Sequence, residues 1–279
     1  MNNTPKCLIQ SDAPKNHSEH SRSEAMKFVF DLDGTICFQG RPVSEKILTS
    51  LEWLVAQGHE VIFASARPIR DLLPVLHERF HAYPMIGCNG GMAARHGKII
   101  STAGFDPDVL SAIFRIMERR RIPYLIDGPW DYSYTGPSDH PILRNLDPQK
   151  RAKNVPLGEL QSVVKVLLFT QKNDLDTVID ALNPLDVTMH VYHGEGVLDI
   201  SPKGIDKWTG LQQLHVKEGE YVAFGNDTND IAMFRYARYA VMVGDHASLR
   251  PYASEQLPLH DHLERDLMEK IDELGRVFW

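Results

Sequence analysis

Phe28-Val29-Phe30-Asp31-Leu32-Asp33-Gly34-Thr35 is the stretch on which the reading of this 279-residue chain turns. Its three leading apolar residues read as a short buried strand. The two carboxylates fall where that strand ends and a glycine-containing loop begins. In open α/β sheets this edge is where ligands bind. A carboxylate there can serve as a nucleophile, and a second beside it as acid and base. Most Asp-x-Asp pairs are only solvated strand ends with a turn glycine. Four fixed letters in five residues directly after a strand are rarer, on the order of one chain in several hundred by chance. The reading as chemistry is therefore preferred.

Outward from this stretch, strands and helices alternate, which argues for a parallel sheet. Ser44 reads as the N-cap of a helix whose apolar face is Ile47, Leu48, Leu51, Leu54 and Val55. Gly58 stops it. A second strand, Val61–Ala64, leads into Ser65-Ala66-Arg67-Pro68. A helix near Arg70–Phe80 then precedes a third strand, Met85–Cys88, and Asn89-Gly90-Gly91. The same alternation returns at Tyr221–Phe224, which runs into Gly225-Asn226-Asp227-Thr228-Asn229-Asp230. Residues 231–238 read as a helix, Ala240–Val243 as a strand, and Leu263, Leu267, Ile271 and Leu274 as the face of a closing helix.

Between these blocks the chain carries its own elements. A helix starts at Asp106-Pro107, with Val109, Leu110, Ile113, Ile116 and Met117 on its apolar face. Strands are expected at Ile122–Ile126, Val163–Phe169, Val187–Val191 and Val197–Ile200, and a long loop over Gly128–Pro156. The expected fold is α/β: a Rossmann-like parallel-sheet core, residues 26–91 and 201–279, with an inserted α+β cap domain, residues 92–200. Residues 1–25 are polar, lack the apolar segment of a signal peptide and read as a disordered tail. Met26, just before the first strand, is a second candidate start.

Composition narrows the function. Charged residues make up 24 % and hydrophobic ones 43 %, ordinary for a globular chain. The net charge of −7 gives no support for a nucleic-acid or anionic membrane partner. No run of apolar residues is long enough to span a bilayer. A phosphate site would have to be locally positive or metal-bearing. Cys7, Cys37 and Cys88 lack metal-ligand spacing and suit a reducing, cytoplasmic compartment. Cys37 reads as a small buried hydrophobe, and His260-x-His262 as a solvated loop.

Asp31-x-Asp33-Gly34-Thr35, Ala64-Ser65-Ala66-Arg67-Pro68, Asn89-Gly90-Gly91, Lys203-Gly204 and Gly225-x-x-x-Asn229-Asp230 lie in this order over most of residues 26–245. In that order and spacing they resemble the haloacid dehalogenase superfamily of phosphatases, in its Cof-like branch with a C2-type (IIB) cap. Asp31 would attack phosphorus and form an aspartyl-phosphate. Asp33 would protonate the leaving alkoxide and later deprotonate water. Ser65 and Lys203 would hold phosphoryl oxygens, the lysine neutralising charge, while Thr35 supports the loop. The resemblance implies Mg²⁺, with Asp31, the main-chain carbonyl of Asp33, Asn226 and Asp230 as candidate ligands, and Asn229 at substrate or metal. Arg67 reads equally as a substrate contact or as half of a structural ion pair.

One departure stands out. The family usually carries Gly-Asp-x-x-Asn-Asp at the last motif, and here the second position is the neutral Asn226. Metal affinity should fall, unless Asp227 or Asp230 compensates. Ser65 and Lys203 leave ample room for the insertion, which resembles a lid on the sheet edge. Trp130, Tyr132 and Tyr134 are candidates for facing substrate, with packing inside the cap preferred. His193 and Glu195 lie in a turn that either faces the site or solvent. The expected activity is Mg²⁺-dependent hydrolysis of a small phosphorylated metabolite such as a sugar phosphate. Two alternatives stand beside it: a phosphate-ligand binding or regulatory protein with weak or lost turnover, and a phosphomutase. The sequence leaves monomer or homo-oligomer open.

Overall fold

The computed structural model describes residues 25–171, 173–192 and 196–278. The expected tail, apart from Ala25, and the turn holding His193 and Glu195 lie outside them. The larger sheet starts with β1 (Lys27–Asp31), β2 (Glu60–Ala64), β3 (Met85–Gly87), β4 (Met92–Arg95) and β5 (Lys98–Thr102). The chain then builds a second sheet from β6 (Tyr124–Asp127), β7 (Tyr132–Tyr134), β8 (Lys165–Phe169), β9 (Val187–Tyr192) and β10 (Val197–Pro202). It returns to the first with β11 (Tyr221–Gly225), β12 (Tyr239–Val243) and β13 (Glu255–Leu257). The helices are α1 (Glu45–Ala56), α2 (Ile69–Leu72), α3 (Pro107–Arg120), α4 (Leu175–Leu182), α5 (Lys207–Gln213), α6 (Ile231–Arg235) and α7 (Leu263–Val277).

The larger sheet has the order β13-β12-β11-β1-β2-β3-β4-β5 among the described residues. It is parallel from β13 to β3 and antiparallel over β4 and β5. β1 is buried on both faces, as its apolar run requires. Phe28 and Phe30 point to the layer of Leu51, Leu54, Leu267 and Ile271 from α1 and α7. Val29 points to Leu211, Met233 and Phe234 from α5 and α6. The chain order reverses around β1, so its carboxyl end opens into the crevice where such sheets bind ligands.

Local signals explain most helix ends. The Ser44 hydroxyl accepts from the Ile47 amide at 3.3 Å and caps α1. Asp106 caps α3, with Pro107 at its first position. The helix expected over Arg70–Phe80 is instead the four residues of α2 followed by two tight 3₁₀ turns. Pro74 lacks the N–H a helix needs there. The expected boundary at residue 92 also moves, because β4 and β5 join the larger sheet. They form a hairpin closed by His96-Gly97, both at positive φ (52° and 71°). After it, the Ala103 amide donates to the Gly91 carbonyl at 2.8 Å, which ties the exit of the insertion to the turn before β4.

The second sheet is antiparallel, with the order β7-β6-β8-β10-β9. One face packs under α3 and α4 through Ile126, Val166, Leu168, Leu198 and Ile200. Strand alternation sends Leu125, Leu167, Phe169 and Val197 to the other face. That face looks down on the carboxyl edge of the larger sheet.

Candidate active site

β1 delivers Asp31 to the sheet edge almost fully buried, at 4 % exposure. Its two oxygens have different partners. Oδ1 accepts from Lys207 Nζ at 2.5 Å, and Oδ2 accepts from the Thr35 hydroxyl at 2.9 Å. Lys207 also reaches Asp230 Oδ1 at 2.6 Å and is fully buried. Burial pushes the Asp31 carboxyl up to about 7, against the pull of Lys207 and with the push of Asp230. Burial works against the Lys207 ammonium too, but Asp230 and Asp31 outweigh it and hold its pKa above the ordinary lysine range.

Lys203, expected to supply this charge, does not reach the site. It is exposed and pairs with Asp186 at 2.5 Å, because it follows β10 in a turn outside the sheet edge. The cation is Lys207, in the first turn of α5. The signal that finds it is the capping box of Asp206 and Thr209, which marks the helix start as the chain re-enters the core. Gly90 lets α5 come close. It sits at φ 108°, and a Cβ there would fall 1.9 Å from the Asp206 carbonyl.

Asp33 and Arg67 meet at the mouth. Both Asp33 oxygens accept from the guanidinium, from Nε at 2.7 Å and Nη2 at 2.6 Å. Arg67 is therefore an ion-pair residue that also lines the cavity. Ser65 is one residue beyond Ala64, which is in register with Asp31 on the neighbouring strand. Its buried hydroxyl accepts from the Arg67 amide at 3.1 Å. Asn229 lines the cavity and donates to Asn89 Oδ1 at 3.0 Å. Cys37 is buried, its thiol pushed up to about 12 by burial and then by Asp33, which leaves it unreactive.

Asp230 departs from its expected place among metal ligands. It is fully buried, Oδ1 is taken by Lys207, and Oδ2 accepts the Asn226 and Asp227 amides at 2.8 and 3.1 Å. It shapes the loop and anchors the lysine. Asn226 and Asp227 line the cavity instead.

Above the carboxylates lies a cavity of about 330 Å³. Its floor is Asp31, Asp33, Arg67 and Asn226, and its far wall is the free face of the second sheet together with Ile142 and Leu146. Two buried links fix that wall. Lys165 Nζ donates to the Ala66 carbonyl at 2.7 Å and pairs with Asp199 at 3.0 Å. Arg70 forks onto Asp71, reaches Asp127 at 2.9 Å and donates to the Trp130 carbonyl at 2.6 Å. Trp130, Tyr132 and Tyr134 are absent from the cavity lining. Trp130 donates to the Arg151 carbonyl, Tyr132 lies under Arg70, and Tyr134 packs edge-on to Phe169.

The oxygen donors suit a small hard cation. Among the described residues no three His, Cys, Asp or Glu side chains converge as a ready cluster, since position 226 carries an amide. Two oxygens nevertheless flank one hydroxyl: Thr35 Oγ1 is 2.9 Å from Asp31 Oδ2 and 3.3 Å from Asn226 Oδ1. Gly34 cradles that amide. At φ 84° it has no Cβ, and one placed there would fall 2.1 Å from Asn226 Nδ2.

A family model for haloacid dehalogenase-like hydrolase matches residues 28–256. The chain belongs to this family. It is similar to the 5-amino-6-(5-phospho-D-ribitylamino)uracil phosphatase YitU of Bacillus subtilis (strain 168), with 24 % identity over 77 % of this chain and 85 % of that one. It is also similar to the phosphoglycolate phosphatase of Nitrosopumilus maritimus (strain SCM1), with 23 % identity over 90 % and 96 %. Among solved structures, the subclass IIB sugar phosphatase BT4131 superposes with a TM-score of 0.71 at 18 % identity, covering 90 % of this chain and 99 % of that one. TM0651 of Thermotoga maritima gives 0.72 at 21 % identity, over 88 % and 97 %.

Proposed function

We propose that this phosphatase hydrolyses phosphomonoesters of a small metabolite through an aspartyl-phosphate on Asp31, with Mg²⁺ as cofactor. The observation that carries the reading is the buried Lys207 ammonium on Asp31, at the base of a cavity that also exposes Asp33. Asp31, Asn226 and the main-chain carbonyl of Asp33 would hold the cation. When bound, it would offset the repulsion between carboxylate and phosphate dianion.

Each residue then has a task. Asp31 attacks phosphorus in line as the bond to the leaving oxygen breaks. Lys207 stays behind it, so the attacking oxygen keeps a fixed direction and a compensating charge. Asp33 gives a proton to the leaving oxygen and later takes one from the water that splits the acyl phosphate. Arg67 grips both Asp33 oxygens as an ion pair, so Asp33 takes up a proton from solvent only once the entering ester draws the guanidinium away, and that is the proton it gives to the leaving oxygen. Asn229 lines the cavity where it would meet a phosphoryl oxygen, and Ser65, buried beneath Arg67, would turn its hydroxyl to a second one.

The test is phosphate release from acetyl phosphate and a panel of monoesters, with Mg²⁺ and with excess chelator. Release should need the metal, and Asp31→Asn should lower kcat by about a thousandfold or more. Undiminished turnover in that variant overturns the covalent route. A second reading, binding without turnover, draws on the neutral Asn226 alone. Saturable binding with no release from any ester, across several divalent cations, would establish it.

A further inference from the structure

Paired residues along the cap wall change character with distance from the carboxylates. On the cavity-facing side of the second sheet, Asp127 is in register with Lys165. The next same-face pair is Leu125 with Leu167. Beyond it on the next strand, Val197 is in register with Phe169. Same-face positions on a strand are about 7 Å apart. Asp127 and Lys165 are spent on Arg70, Asp199 and the Ala66 carbonyl, so a body whose phosphate sits on the cavity floor meets the leucines and the valine as the open part of this wall. Leu125, Leu167 and Val197 all line the cavity, as do Ile142 and Leu146 from the loop above.

A polyol is a poor match for such a wall. A hydroxyl turned toward Leu125, Leu167 or Val197 would give up water without gaining a partner there, and Asn145 is the polar side chain that the loop above adds to this wall. A sheet face bearing branched aliphatic side chains is flat, and a ring lies well against it. We propose that the preferred leaving group is an alcohol carrying an apolar ring, joined to the phosphate by a short linker, rather than a sugar. This rests on the phosphatase reading above, and Leu125, Leu167 and Val197 are the specificity-determining residues.

The test compares 2-phenylethyl phosphate with glucose 6-phosphate, both primary alkyl esters, and uses acetyl phosphate as a small acyl phosphate whose acetate needs almost no placing. With Mg²⁺ present, kcat/KM for the phenylethyl ester should exceed that for the sugar ester by about tenfold or more. Leu167→Gln and Leu125→Gln should each shrink this ratio several-fold. The ratio does not depend on the fraction of enzyme folded, so a destabilised variant still reports. A ratio of one or less in the native chain, or one that neither variant moves, overturns the proposal. So does turnover of acetyl phosphate with neither larger ester, which leaves the phosphatase reading standing. Release from none of the three overturns that reading and the proposal together.

Discussion

Two buried cations, each held between two aspartates, sit on either side of the cavity floor and do opposite work. Lys207 lies between Asp31 and Asp230, and Arg70 between Asp71 and Asp127. Each triad has one positive and two negative groups. The ammonium is a compact charge, and both of its acids, Asp31 and Asp230, belong to the larger sheet and its loops. The guanidinium is a fork whose arms are spent on Asp71, Asp127 and the Trp130 carbonyl. It joins the cap to the core. The same charge balance thus knits one end of the core together where the cation is a point, and joins core to cap where it is a planar fork.

The largest expected effect tests the first triad. Lys207→Met leaves two carboxylates buried with no cation, which should cost about 3–5 kcal/mol in urea unfolding and abolish measurable phosphate release. Arg70→Met should cost about 3 kcal/mol, yet spare much of kcat and appear mainly as a higher KM. If steady-state kinetics show kcat falling as far as for Lys207→Met, the contrast between a triad that serves the proposed chemistry and a joint fails. Asn226→Asp sharpens the floor. A carboxylate at that position should lower the Mg²⁺ concentration for half-maximal activity by roughly tenfold, read from a metal titration. The smallest effect belongs to Lys203→Ala. An exposed pair with Asp186 contributes little, so stability should move by less than about 0.5 kcal/mol and kcat/KM should not change.

That last pair of lysines also shows how far the sequence could be read. β1, β2 and β11 were legible because their apolar runs end in polar, glycine-bearing loops. The caps at Ser44 and Asp106 were legible because capping is local chemistry. Asp31, Asp33, Ser65, Arg67, Asn226 and Asn229 all come to one edge of the larger sheet. Lys203 is the expectation because Lys203-Gly204 resembles the family's lysine motif, and Lys207 lies four residues further on. Only the Asp206–Thr209 box separates the turn from the helix start. The hairpin of β4 and β5 is not among the expected elements; His96-Gly97 is its turn, but the charged Arg95 and Lys98 on either side mask the apolar runs. Asp230 was misplaced for a different reason. Whether a carboxylate faces a cation or its own backbone amides is decided by loop conformation, which residue spacing does not encode.

The two ends of the insertion leave and rejoin the larger sheet at one turn. Ala103 is tied to Gly91, and Asp206 presses on Gly90 next door. A graft exchanged between these two seams would bring a new ceiling to the same furnace. Such a graft would have to carry Asp127 and Lys165 with it, because their buried links to Arg70 and the Ala66 carbonyl cross from cap to core.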